Sequence, residues 1–142
     1  MSATIKELLA SEAVRDGVVA QGWVRTRRDS KAFSFLELND GSCLKNLQCI
    51  VDEGIPGYEH IAQCTTGAAV RIDGRLVASR GGAQKWEVQA TAVTLLGGAD
   101  ESFPLQKKGH SPEFLRTIAH LRPRTSLYGS VFRVRSRVAY AV

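Results

Sequence analysis

Cysteine and long apolar runs are scarce in this 142-residue sequence. The three cysteines, Cys43, Cys49 and Cys64, are odd in number and form no C-x-x-C pair. A structural zinc site needs four ligands, usually in close pairs, so we expect no metal site and reduced, partly buried thiols. No stretch approaches the roughly 18 apolar residues of a membrane span, and the N-terminus lacks the layout of a signal peptide. We therefore expect a cytoplasmic protein with no membrane segment.

Acidic residues are almost absent from the last forty positions. Residues 1–102 hold 11 Lys and Arg against 13 Asp and Glu, a net charge of −2. Residues 103–142 hold 8 against 1, a net charge of +7. This split predicts two functional segments and a polyanionic partner for the second, although a solvated basic surface would give the same counts.

The first hundred residues have the pattern of a short helix followed by strands. The helix is predicted from Thr4, as its cap, to Ala13. Gly22 and Gly74 lie inside predicted strands, where glycine marks a bulge or a tight bend. A short helix is expected between the third and fourth strands. The β-rich runs predict five strands, at 18–27, 33–38, 44–51, 68–79 and 85–96. This order predicts an all-β fold, a five-stranded OB-fold Greek-key barrel, followed by a helical hinge.

Two helices are predicted in the basic segment. The first begins at Ser111, because serine caps a helix, proline suits its first position and glutamate favours its positive end. It runs to about His120. The second is expected to open at Ser130, with an apolar face formed by Val131, Val134, Val138 and Ala141. Because this helix has no cap where the sequence stops, we expect the chain to be cut from a longer protein.

The predicted barrel carries residues that suit a nucleic-acid surface. OB barrels bind single strands with aromatic faces and nearby cations, usually on the second and third strands. Phe33 and Phe35 lie on the second strand, Gln48 on the third and Glu87 on the fifth. The turn between the first two strands is basic and holds Arg25, Arg27, Arg28 and Lys31. The residues alone predict an OB-type binder of single-stranded nucleic acid.

Plainer structural roles exist for several of these residues. Phe33 and Phe35 share one face of their strand, so at least one of them could belong to the core. Gln48 and Glu87 could be ordinary solvent-facing positions. Trp23 is expected to pack rather than to stack on a base, because it buries so much apolar area.

Two segments resemble a known enzyme family. The string GWVRTRRDS from Gly22, with FLELNDG from Phe35 and LQ from Leu47, resembles the anticodon-binding domain of class IIb aminoacyl-tRNA synthetases. These are the aspartyl, asparaginyl and lysyl enzymes. The string KGHSPEFLRTIAHLRPRT from Lys108, with GSVFRVRS from Gly129, resembles the hinge and first catalytic-domain helix of bacterial-type asparaginyl-tRNA synthetases. The resemblance covers essentially the whole chain.

The resemblance implies a domain organisation and a reaction. Residues 1–102 would be the anticodon-binding domain, 103–129 the hinge, and 130–142 the start of the class II catalytic domain. The intact enzyme would be a homodimer that joins asparagine to tRNA-Asn with ATP and Mg²⁺. This chain would hold no catalytic residue and no cofactor of its own.

The resemblance also implies roles for single residues. Phe35 would stack on the central uridine of the anticodon, and Gln48 would recognise the edge of that base. Arg28 would lie near the anticodon backbone, and Glu87 would help to recognise the anticodon. The loop Ser79–Gln84 would help to select the third anticodon base.

Three other interpretations remain open on the sequence. The chain could be a free-standing OB protein, which predicts binding indifferent to sequence. It could be a structural or protein-interaction paralogue, which predicts loss of the anticodon residues. It could also be the aspartyl relative, against which the hinge argues.

Overall fold

The computed structural model describes residues 3–82 and 84–142. Its contacts divide the chain into two compact units, the first ending at Gln106 and the second beginning at Lys107. The first unit contains α1 (Ile5–Leu9), β1 (Arg15–Asp29), β2 (Phe33–Asn39), β3 (Leu47–Asp52), a 3₁₀ helix (Tyr58–Gln63), β4 (Ala69–Ala78) and β5 (Trp86–Gly97). The second contains α2 (Pro112–Thr117), a 3₁₀ turn (Arg122–Arg124) and α3 (Ser126–Ala141).

The five strands close into a barrel in the order β1-β2-β3-β5-β4. Strand β1 joins both edges, since it pairs with β4 up to Trp23 and with β2 from Trp23 onward. Strands β3 and β5 are parallel, and the other pairs are antiparallel. Strand number and order, and the helix between β3 and β4, confirm the predicted OB-fold barrel.

Every second side chain of β2 and β3 points into the core. In β2 these are Ser34, Leu36 and Leu38, which are fully buried. In β3 they are Leu47, Cys49 and Val51. Full burial of one leucine contributes about 1.5–3 kcal/mol, so this alternation fixes which face of each strand is left for function.

The two strand glycines mark points of close backbone approach. Gly74 faces the bulge that Thr91 makes in β5, and a Cβ on Gly74 would lie 2.3 Å from the carbonyl oxygen of Gln89. At Gly22 a Cβ would lie 2.9 Å from the carbonyl oxygen of Asn39, where β1 leaves β4 for β2. Both expectations from the sequence are confirmed. Trp23, next to this bend, keeps 41% of its surface exposed and lies outside the core, and its packing rather than stacking on a base stays a prediction.

Helix α1 packs against the barrel and is held by the turn after β2. Its Ile5 and Leu8 are fully buried in the core. The Ile5 N–H donates to Asp40 Oδ2 at 2.8 Å, and the Lys6 N–H donates to Ser42 Oγ at 3.0 Å. Burial alone would raise the pKa of Asp40, but hydrogen bonds from Ser42 and Ile5 outweigh it and lower the pKa. The ionised carboxylate therefore anchors the helix.

The second unit differs from the sequence prediction at both helices, since α2 ends at Thr117 rather than near His120 and α3 begins earlier than expected. Helix α2 begins as expected, with Ser111 Oγ accepting from the Phe114 N–H. Helix α3 begins at Ser126 rather than at Ser130, because Thr125 Oγ1 caps it by accepting from the Tyr128 N–H. The expected limit between residues 129 and 130 therefore falls inside a continuous helix.

The apolar side of α3 is exposed within its unit. Val131, Val134 and Val138 keep 48%, 64% and 58% of their surface accessible. This confirms the predicted apolar face of the helix. Within residues 3–82 and 84–142, no helix combines the length and the apolar character that crossing a membrane requires.

Substitution of Gly74 by alanine should destabilise the barrel. The added methyl group would clash with the Gln89 carbonyl, and overpacking of this kind costs about 1–3 kcal/mol. Urea unfolding followed by circular dichroism measures the loss. The matched control is Gly98→Ala, where a Cβ meets nothing within 4 Å. Equal stability of the two variants would show that the close approach does not constrain β4.

The anchor of α1 should make part of the stability depend on pH. Because the pKa of Asp40 is lowered in the folded state, its contribution is present above the unfolded pKa of about 3.9 and is lost as the pH falls below it. At neutral pH Asp40→Asn should cost about 1 kcal/mol, kept low by solvent screening. Urea titrations at pH 7 and at about pH 3 should show the difference from the wild type shrink at the lower pH, as the pH falls towards the lowered pKa of Asp40. A difference that persists unchanged would mean that the charge of Asp40 is not the anchor.

Candidate nucleic-acid interface

The outer face of the barrel carries two neighbouring rows of side chains. Cross-strand partners lie on the same face of a sheet, so the pairing registers give the rows directly. The stacking row consists of Arg28, Phe35, Ile50, Gln89 and Arg75. The polar row consists of Thr26, Glu37, Gln48, Glu87 and Val77, with Gln48 joined to Glu87 by a side-chain hydrogen bond. Four of the six predicted site residues therefore lie in two adjacent rows.

Phe35 is the aromatic centre of the stacking row. Its ring is half-buried and has the Arg28 guanidinium 5.5 Å from its centroid. The Phe33 ring meets it edge-on, with 5.1 Å between the centroids. Neither ring belongs to the core cluster, so the core role considered for Phe33 is wrong, and its ring instead supports Phe35 on the outer face. Two contacts hold Phe35 in one orientation, which preorganises a stacking platform.

Arg25 lies at the bulge of β1, between Val24 and Thr26. Burial lowers the pKa of its guanidinium, while the charge of Glu37 acts in the opposite direction. The bulge brings Arg25 within electrostatic reach of Glu37 in the polar row. Sequence spacing alone could not show this, because a bulge changes which side chains share a face.

Arg27 is directed away from these rows. It pairs with Leu36, on the inward-facing side of β2. Its Nη1 donates to the carbonyl oxygens of Ile61 at 2.7 Å and Ala62 at 2.8 Å, at the end of the 3₁₀ helix. Its Nε lies 3.3 Å from Asp29 Oδ2. These bonds give Arg27 a structural role, and the structure does not bring it together with the other predicted site residues.

Glu87 is a buried carboxylate with two side-chain donors. It is 3% exposed. Its Oε2 accepts from Ser79 Oγ at 2.8 Å and from Gln48 Nε2 at 3.1 Å. A buried carboxylate requires such partners, since its desolvation costs several kcal/mol. The role of Ser79 was not predicted, because it depends on the hairpin that brings the end of β4 beside the start of β5.

The cysteines lie in or beside the core. Cys49 and Cys64 are buried and Cys43 is half-buried, and all three are free thiols. Burial raises the pKa of Cys49 to about 12. In the part of the chain that the structure describes, no three His, Cys, Asp or Glu side chains are placed to hold a metal ion.

Comparison with known proteins identifies the barrel. Residues 18–96 match the family model described as OB-fold nucleic acid binding domain. The chain belongs to this family.

The chain is similar in sequence and in fold to tRNA ligases. The chain is 60% identical to the asparagine–tRNA ligase of Nitratidesulfovibrio vulgaris over 139 residues, which are 97% of the chain and 30% of the relative. Asparaginyl-tRNA synthetase from Pyrococcus horikoshii, solved with asparaginyl-adenylate, matches with a TM-score of 0.78 and 21% identity over 99% of the chain and 33% of that structure. Aspartyl tRNA synthetase from Entamoeba histolytica matches with a TM-score of 0.73 and 18% identity, over 96% and 35%.

These comparisons differ in what they establish. The two solved structures have the same fold, and at this identity they do not separate the asparaginyl from the aspartyl enzymes. The sequence relative is specific, since its identity extends over both units of the chain. The chain spans about a third of the length of the proteins that it matches.

Substitution of Arg27 should test its structural role. Arg27→Ala removes two charge-assisted bonds to the 3₁₀ helix and should cost about 1–2 kcal/mol of stability, measured by urea unfolding. The control Arg28→Ala removes the same charge from an exposed cation–π contact and should cost only about 0.5 kcal/mol. Equal losses would contradict the separation of the two arginines.

Proposed function

We propose that the OB domain binds the anticodon loop of tRNA-Asn as the N-terminal part of an asparagine–tRNA ligase. The observation that carries the proposal is the pair of adjacent rows on the outer face. One row offers Phe35 with Arg28 for stacking, and the other offers Gln48 and Glu87 for hydrogen bonds. The identity to asparagine–tRNA ligase over nearly the whole chain supports the choice of tRNA.

The two rows divide the work of binding. A base stacked on Phe35 gains the affinity of an aromatic platform, which accepts any base because every base has a π-face. Arg25 and Arg28 are cations at the β1 side of the rows and suit the phosphates beside that base. The amide of Gln48 and the carboxylate of Glu87 can bond to the base edge, which confers sequence preference.

The loop Ser79–Gln84 is the proposed contact for the third anticodon base. It joins β4 to β5 and is tied to the polar row by the bond from Ser79 to Glu87. Ala83 of this loop lies outside the described residues. A loop beside Glu87 is in position to meet the nucleotide next to the one stacked on Phe35.

The second unit supports a polyanionic partner. Among residues 103–142 there are 8 basic side chains and 1 acidic side chain. A surface with this charge attracts nucleic acid over several ångströms and accelerates association at low salt. We propose that it follows the tRNA backbone.

The whole protein is proposed to act as a homodimer in the cytoplasm. It would join asparagine to tRNA-Asn and use ATP and Mg²⁺ to activate the amino acid. The described residues contain no acidic or histidine cluster fit to hold Mg²⁺, so no chemical step is assigned to this chain. Its own residues bind and orient the anticodon loop.

Binding of anticodon stem-loops should depend on Phe35. Phe35→Ala should weaken binding of a stem-loop with the asparagine anticodon GUU by about 1–3 kcal/mol, the range for one base–aromatic stack. Fluorescence anisotropy titrations measure the change. The control Leu96→Ala removes a side chain that is 57% exposed, at the end of β5 remote from Glu87, and should leave affinity unchanged.

Two further stem-loops and one variant complete the test. A changed central base should bind more weakly than GUU, and the aspartate anticodon GUC should do so if the domain belongs to an asparagine enzyme. Arg28→Ala should flatten the dependence of affinity on salt, because a phosphate contact releases counterions. Equal binding of all stem-loops would instead support a free-standing OB protein that is indifferent to sequence.

A further inference from the structure

The hydrogen bonds of Glu87 constrain the Gln48 amide. Gln48 Nε2 lies 3.1 Å from Glu87 Oε2. An amide nitrogen donates and an amide oxygen accepts, so only the nitrogen can face a carboxylate. A flipped amide would set its oxygen against the Glu87 carboxylate, so Glu87 holds the amide in the observed orientation.

Ser79 orients the Glu87 carboxylate, which in turn orients the Gln48 amide. The Ser79 hydroxyl has one proton and can donate one hydrogen bond. It donates to Glu87 Oε2 at 2.8 Å in preference to the Gly81 carbonyl oxygen at 3.2 Å, because the first contact is shorter. The Gly81 N–H donates back to Ser79 Oγ at 3.2 Å. Ser79 therefore couples the loop after β4 to the orientation of Glu87.

We propose that Ser79 is a positioning residue, which acts through Glu87 to present the Gln48 carbonyl oxygen as a fixed acceptor to the base stacked on Phe35. This inference rests on the proposed function of the rows. A fixed acceptor favours a base with an N–H in its ring edge, such as N3 of uracil. It rejects cytosine, whose N3 is itself an acceptor, although both pyrimidines have the same size and stack alike.

The position of the platform supports this assignment. Phe35 pairs with Ile50, and Gln48 lies two residues from Ile50 on the same face of β3. Such diagonal neighbours are about 7–8 Å apart, within reach of a planar base that covers the ring. Gln48 is the nearest amide that the register places beside Phe35 on β3.

The test compares stem-loops that differ only in a central uridine or cytidine. The ratio of their Kd values should fall about tenfold in Ser79→Ala, because the hydrogen bond is then no longer preset and its loss costs about 1.4 kcal/mol. The Kd of the uridine stem-loop itself should rise by less than tenfold in Ser79→Ala, since Phe35 and Arg28 still bind it. Ser79→Thr keeps the hydroxyl and should restore the ratio.

A second variant separates the amide from the loop. Glu87→Gln keeps the shape and the turn made by Ser79 and Gly81, but a neutral amide at position 87 can donate to a flipped Gln48. It should therefore lose the preference for uridine as Ser79→Ala does. Circular dichroism melting shows that each variant folds.

The outcomes are distinguishable. If the wild type prefers uridine and the ratio is unchanged in both Ser79→Ala and Glu87→Gln, the positioning role is overturned while the proposed function stands. If Ser79→Ala alone lowers the ratio, the loop and not the amide is responsible, and the proposal fails. If the wild type binds neither stem-loop, the proposed function itself fails.

In the unbound protein, ¹⁵N NMR of the Gln48 side-chain amide should still show a shift in Glu87→Gln, and an unshifted resonance would overturn the inference independently of RNA.

Discussion

The alternation of side chains along β2 and β3 is the constraint on which the site depends. Leu36, Leu38 and Cys49 are fully buried, so a slip of one residue in either strand would expose them and bury Phe35 or Gln48. Such a slip would cost several buried apolar side chains, each about 1.5–3 kcal/mol. The core therefore fixes the register, and the register fixes which outward residues are neighbours. The site gains its geometry from residues that never touch a ligand.

Much of the barrel could be predicted because strand order, strand length and glycine bends are local signals. The start of α3 could not be predicted, because Thr125 and Ser130 are both residues that can cap a helix, and only the structure shows that Thr125 does so. The cluster of four cations was harder still. Sequence spacing grouped Arg27 with Arg28, but successive strand residues face opposite sides, and Arg27 bonds to the 3₁₀ helix. Phe35, Gln48 and Glu87 were predictable as outward residues, whereas their contacts required the parallel pairing of β3 with β5.

Charge is distributed unevenly over the two rows, and this gives the surface a direction. Arg25 and Arg28 lie on β1, whereas Glu37 and Glu87 lie on β2 and β5. A polyanion is attracted to the β1 side and repelled from the carboxylates, which are kept for base edges that donate. Ser79 and Gln48 both donate to the buried Glu87 side chain. The same bonds that offset its desolvation define its orientation.

Affinity and selectivity are thus carried by different rows, about 6.8 Å apart along the strands and joined only through a shared register. Stacking on Phe35 is tolerant of the base, and selectivity requires donors and acceptors that do not rotate to suit each base. A free glutamine could satisfy either pyrimidine by turning its amide, since the two ends have nearly the same shape. The Glu87 carboxylate, to which Gln48 Nε2 donates, removes that freedom. Gln48 can therefore distinguish uracil from cytosine because its contact with Glu87 prevents the amide from rotating.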